Sequence, residues 1–145
     1  LERPLVLENI STYATIAPQQ MTEWDFLNAL TRATGCKLLL DINNVFVNAR
    51  NHGFSPEDFL DAIDVHSVQQ RHLAGHADNG DHVIDTHDEP IAASVFDLYE
   101  HALKRTGPIS TLIERDDNIP PLSTLIEELD HVRRIAQHNR VPLAS

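Results

Sequence analysis

Lys37-Leu-Leu-Leu-Asp41-Ile-Asn-Asn44 sets three consecutive leucines before a carboxylate and two amides. An apolar run without polar alternation reads as a strand covered on both faces, the pattern of a parallel sheet. The same form recurs at Leu5-Val-Leu-Glu8 and Ser110-Thr-Leu-Ile-Glu114. A weaker version runs from Val68 to Leu73, interrupted by Gln69, Gln70 and Arg71 and carrying His72 at its end. Each of the four segments therefore finishes at an acidic residue or a histidine.

Helical patterns fill the intervals. Thr22-Glu-Trp-Asp25 places a capping hydroxyl before acid in a first turn; Phe26, Leu27, Leu30 and Ala33 follow at helical spacing, and Gly35 closes the segment. Ser55-Pro-Glu-Asp58 caps a second helix carrying Phe59, Leu60 and Ile63. Val95, Phe96, Leu98, Tyr99, Ala102 and Leu103 line a third, ended by Gly107. Pro120-Pro121 introduces a last helix with Leu122, Leu125, Ile126, Leu129, Val132 and Ile135. The polar stretch from Asn48 to Gly53 and the segment from Leu73 to Pro90 read as loops. The resulting βαβαβαβα order predicts an α/β fold of parallel strands with right-handed crossovers, residues 1–145 forming a single unit.

A small open sheet and half of an eight-stranded TIM barrel, which normally needs ~250 residues, both fit this order. Chemistry lies beyond the carboxyl ends of the strands in either case. An open sheet concentrates its site at one switch point, whereas here every strand end contributes, as in a closed barrel. The expected fold is accordingly about four parallel (β/α) units forming half of a TIM barrel. The absence of an initial Met and the nearness of the first strand to residue 1 agree with a piece of a longer chain.

The four strand-end ligands would converge without a basic partner near them in sequence. Burying unpaired charge costs several kcal/mol, so the cluster calls for cations. Asp41 can offer a carboxylate and Asn44 an amide oxygen; His72 offers an imidazole, and Asp85-Thr-His87 presents two ligands on alternate residues of an extended loop. Oxygen and nitrogen donors without thiolate favour iron, manganese, zinc or magnesium. Glu8 has two oxygens and could serve two ions. Taken singly, each acid also reads as a helix cap or a solvated loop group, and Asn43 and Asn44 as turn formers. His76, Asp78 and His82 read as solvated loop residues, His52-Gly53 as a turn, and His66, His101, His131 and His138 as exposed.

Composition narrows the partners. Twenty-two acidic against 11 basic residues, a net charge of −11, repel phosphate backbones and anionic lipid. Neither nucleic acid nor a membrane is expected as a partner. No stretch approaches the roughly 18 apolar residues of a membrane span, and Leu1-Glu-Arg-Pro lacks signal character. Cys36 is the lone cysteine, opening an apolar run, so burial and a reducing, cytoplasmic setting are expected. There is no glycine-rich phosphate loop and no Gly-x-Ser-x-Gly elbow.

Five ordered motifs carry a resemblance: Glu8-Asn-Ile-Ser, Leu39-Leu-Asp-Ile-Asn-Asn-Val-Phe-Val-Asn48, His72-Leu-Ala-Gly-His76, Ile84-Asp-Thr-His87 and Leu112-Ile-Glu-Arg115. Together they resemble the multinuclear non-heme iron-dependent oxidative enzymes, bacterial proteins of the methanobactin biosynthesis oxidase type within the xylose-isomerase-like TIM-barrel superfamily. The resemblance covers the carboxyl-terminal half of that family. The related apurinic endonucleases share the register, including an interval of 85 − 72 = 13 that selects His72 over His76. It implies that Glu8 bridges two metals, that Asp41, His72 and Glu114 hold one ion, and that Asn44, Asp85 and His87 hold another. It further implies two or three irons in the full-length protein, O2 as oxidant, a cysteine-containing precursor peptide as substrate and a partner protein that presents it.

A half barrel exposes two strand edges and half of its inner face, so this piece alone is not expected to be active. The alternatives are a hydrolase or isomerase of the same superfamily using zinc, manganese or magnesium, and a noncatalytic metal-binding remnant.

Overall fold

The computed structural model describes residues 3–15 and 20–139; Leu1 and Glu2, where signal character was sought, lie outside them. Four strands, β1 (Val6–Glu8), β2 (Lys37–Asp41), β3 (Val68–Leu73) and β6 (Ser110–Ile113), form one parallel sheet in the order β1-β2-β3-β6. Five helices accompany them: α1 (Glu23–Thr34), α2 (Ile42–His52), α3 (Pro56–Ala62), α4 (Ala93–Thr106) and α5 (Leu122–His138). The α/β class and parallel pairing expected from the apolar runs are present.

Thr22 and Ser55 cap α1 and α3 as anticipated, each side chain accepting a backbone N–H three residues on. The core gathers Leu38 and Leu40 of β2, Leu73 of β3, Phe59 and Leu60 of α3, and Val95, Leu98, Tyr99 and Leu103 of α4. Cys36 is buried and unpaired, as expected. None of the described helices is long and apolar enough to cross a membrane.

Two expected loops are structured. The stretch from Asn48 to Gly53 belongs to α2, because Ile42, Val45, Phe46 and Ala49 fall on one helical face while Asp41 caps the first turn and Gly53, at φ 75°, closes the last. Its asparagines are poor helix formers, and they hid the pattern. Between Leu73 and Pro90 an antiparallel pair forms, β4 (Ala77–Asp78) with β5 (Val83–Ile84), turned at Gly80 with φ 86°. The expected apolar faces of α1 and α5 are only partly covered: Phe26, Leu122 and Ile126 stay exposed, with Leu5, Ile10, Leu112 and Ile119, beside the two outer strands β1 and β6.

One irregularity sets the site. Leu38 pairs with Val68 but Leu39 pairs with Gln70, so β3 carries Gln69 as an extra residue. A bulge of this kind shifts every later pairing by one and changes which side chains face one another. It places His72, rather than Arg71, opposite Asp41. Arg71 instead faces the helices, fully buried, where it donates to the Thr106 hydroxyl and to the carbonyls of Gly107 and Ile109 and lies over Tyr99.

Candidate metal centre

Parallel pairing brings the carboxyl ends of β1, β2, β3 and β6 side by side, and Glu8, Asp41, His72 and Glu114 meet there. One ligand atom from each lies within 4.8 Å of the others. His72 Nδ1 stands 3.1 Å from Glu114 Oε2, 3.4 Å from Glu8 Oε1 and 4.0 Å from Asp41 Oδ2.

Asp41 is pinned from three directions. Asn9, immediately after β1, extends the ladder with its side chain: Oδ1 accepts the Asp41 N–H at 2.8 Å, and Nδ2 donates to the Asp41 carbonyl at 3.0 Å. Asp41 Oδ1 accepts the Asn44 N–H at 2.8 Å, capping α2. Asn44 Nδ2 in turn donates to the Asn9 carbonyl at 3.0 Å, which commits its amide orientation and leaves Oδ1 pointing the other way. Asn44 is therefore a helix residue, not a turn former.

The second part of the site is the loop after β5. His87 Nε2 lies 2.6 Å from Asp85 Oδ1, while Nδ1 lies 3.5 Å from both Glu114 Oε2 and Asp116 Oδ2. The ring thus stands between Asp85 on one side and two further carboxylates on the other, and Glu114 is common to both groups of ligands. His87 adopts φ 53°, held by its N–H to the Gly75 carbonyl at 3.1 Å and by the Asp116 N–H to its own carbonyl at 2.9 Å. A left-handed non-glycine costs on the order of 1 kcal/mol and persists where its surroundings over-determine it.

Asp41 Oδ2, Asn44 Oδ1, His72 Nδ1 and His87 Nε2 are all buried, and none makes a hydrogen bond among the described residues. The short approaches of Asp85 to His87 and of Glu114 to His72 fall outside hydrogen-bond geometry. Five other buried atoms, on Arg71, Thr86, Asp88, Thr111 and Arg115, also lack a partner, but buried polar groups are rarely left unpaired, and these four orphans belong to metal-ligand residues among the carboxylates at the strand ends, which fits a cation. Among the described residues no Lys or Arg pairs with Glu8, Asp41, Asp85, Glu114 or Asp116. Burial pushes the Asp41 carboxyl up to about 7, and the nearby Asp85 and Glu8 add to the rise against the Asn44 N–H and His87. The contact with Asp85 raises His87 to about 9 despite its burial, helped by Asp41 and Glu114. The protein alone thus stores protons where a metal would replace them.

All seven residues singled out in the sequence lie at this end of the sheet. Asp116 was not among them, although Glu114-Arg-Asp116 repeats the alternate spacing of Asp85-Thr-His87. His76, expected in solvent, is half-buried and bonded to Asn43. His52 ends α2 and contacts Thr12 and Thr15. His66, His82, His131 and His138 are exposed and His101 partly so.

The family model described as RiPP precursor modification enzyme MbnB/TglH/ChrH matches residues 1–137. A UPF0276 protein of Caulobacter vibrioides is 53% identical over 146 residues, covering 100% of this chain and 52% of its own length. One of Anaeromyxobacter sp. is 46% identical over 145 residues, covering 100% and 50%, and one of Rhizorhabdus wittichii is 50% identical over 137 residues, covering 94% and 49%. The chain spans about half the length of these curated relatives.

Proposed function

The chain belongs to the RiPP precursor modification enzyme family MbnB/TglH/ChrH, and on that premise we propose that it is half of a multinuclear iron-dependent oxidase acting on cysteine residues of a ribosomally made precursor peptide. The observation that carries the reading is the set of four buried atoms, on Asp41, Asn44, His72 and His87, that lack a hydrogen bond and lie among carboxylates with no basic partner among the described residues.

In this reading Asp41, His72 and Glu114 would hold one ion and Asn44, Asp85 and His87 a second; Glu8, the bridge that the resemblance implies, stands with the first group, while Glu114 is common to both and Asp116 is within reach of the His87 side. Iron bound there would supply one-electron chemistry with O2. The chain's own residues deliver deprotonated donors, keep them in fixed relative positions and leave room for substrate. Asp41 gives up the proton that burial raises to about 7, and His87 the one that Asp85 retains on it. Asn9 and the first turn of α2 hold the Asp41 backbone and Oδ1, so that Oδ2 alone faces the cluster.

The two flanking strands, β1 and β6, and the exposed apolar residues beside each support a half barrel that a preceding half would close. The remaining ligands, and the surface for a peptide-presenting partner, would come from that half. The test is metal analysis and turnover of the full-length protein purified without oxygen, with a cysteine-containing precursor peptide. Iron content with O2-dependent loss of the peptide thiol is expected; full activity with zinc and no iron would overturn the oxidase reading in favour of a hydrolase or isomerase.

A further inference from the structure

We infer that Asn43 and His76 are positioning residues, which fix the Asp85 carboxylate and through it the affinity of the ion that Asp85 and His87 would share. The inference rests on the reading of Asp85 as a ligand and adds two residues outside the ligand set.

Asn43 sits in the first turn of α2 with 0% exposure. Its Oδ1 accepts from His76 Nδ1 at 2.7 Å; its Nδ2 donates to Asp85 Oδ1 at 2.7 Å and lies 3.5 Å from the Gly75 carbonyl. Only one orientation of the amide works. Reversed, its oxygen would face the Asp85 carboxylate and the Gly75 carbonyl, three acceptors without a donor. The same requirement assigns the Nδ1 proton to His76.

The His76 ring is itself clamped. It stacks on Phe46 with centroids 4.7 Å apart and planes at 23°. Phe46 follows Asn43 by three residues, so one face of α2 carries both the amide and the aromatic platform. Gly75, just before His76, passes so close to Glu89 that a Cβ would lie 1.8 Å from its carbonyl oxygen. The His76 backbone therefore has little room to drift, and the sequence of contacts runs from a rigid platform through His76 and Asn43 to Asp85. Its last link engages Asp85 Oδ1, the oxygen that also faces His87 Nε2 at 2.6 Å, and leaves Oδ2 for a cation. Partners of this kind typically change metal affinity about 10–100-fold when removed.

The test is titration of the metal-free full-length protein with Zn2+, with Co2+ absorption as the report on ligand geometry. Asn43→Asp keeps the acceptor for His76 and removes the donor to Asp85; His76→Phe keeps the stacking and removes the Nδ1 proton; His76→Asn restores a donor near that position. Expected are a loss of about 10-fold or more at one ion site in Asn43→Asp and His76→Phe, an altered Co2+ spectrum, and partial recovery in His76→Asn, each read below the variant's own thermal midpoint, which falls where a buried charge or an unpaired acceptor is left. Asp85→Ala separates the two readings. If it loses an ion while Asn43→Asp and His76→Phe, folded, bind and absorb like the parent, the positioning role is wrong. If Asp85→Ala itself keeps every ion, the ligand reading beneath it fails.

Discussion

Asp41 and His72 occupy paired positions on neighbouring parallel strands, with Oδ2 and Nδ1 4.0 Å apart, both buried and neither hydrogen-bonded among the described residues. That pairing depends on the bulge at Gln69. Had β3 kept the register of its first pair, Arg71 would face Asp41, and a guanidinium would occupy the place where the orphan atoms meet.

Deleting Gln69 removes the bulge but leaves Leu39 paired with Gln70 and Asp41 with His72, so metal binding is expected to survive the deletion. Zn2+ titration of the deletion variant checks this. Loss of metal binding would show that the site needs the bulge itself and not only the pairing of Asp41 with His72.

Asp41→Asn separates the two roles of that side chain. Asparagine caps a helix about as well as aspartate, so the cap to Asn44 survives while the buried carboxylate is gone. The metal-free variant is expected to be at least as heat-stable as the parent, and metal addition to stabilise it far less. Asp41→Ala should lose about 1 kcal/mol or more from the cap alone. Thermal unfolding with chelator and with excess Zn2+ measures both.

The proton load gives a pH dependence with a definite sign. Asp41 at about 7 and His87 at about 9 both lie above their unfolded values. The metal-free fold therefore binds more protons than the unfolded chain, and the stability these groups contribute is complete below the unfolded values and lost as pH rises through the folded ones. From about pH 5 to about pH 9 their share of metal-free stability should fall, while metal affinity should rise as fewer protons are displaced. Chemical denaturation and Zn2+ titration across that range check the two halves; affinity independent of pH would contradict the assignment of both groups.

Gly75→Ala would press its methyl group against the Glu89 and Pro90 carbonyls, at 1.8 and 2.8 Å. Backbone must yield, at a cost of about 3 kcal/mol, and the yielding loop carries Asp85 and His87. Lower stability together with weaker metal binding is expected, measured by denaturation and titration of the same variant.

The parts of this account legible in the sequence are those with local causes. The leucines before Asp41, the Thr22 and Ser55 caps and the acids at the strand ends announce themselves within a few residues. Helix α2 is obscured in the sequence because Asn43, Asn44, Asn48 and Asn51 alternate with its apolar face, and because their roles are tertiary: Asn48 bonds Thr12 and Ile10, and Asn51 bonds Val83. The bulge at Gln69 exists only as a mismatch between β2 and β3. The link from His76 through Asn43 to Asp85 spans residues 33 and 42 positions apart, beyond any local pattern. Asp116 could have been found from its alternation with Glu114.

The central claim is that these strand ends are held together by cations, and counting metal ions per chain tests it most directly. In full-length protein purified without oxygen, Asp85→Ala and His87→Ala should each lose about one ion relative to the parent, while His131→Ala, an exposed α5 residue whose ring packs on Phe96, should lose none. Equal metal content in all three variants, or none in the parent, would contradict it.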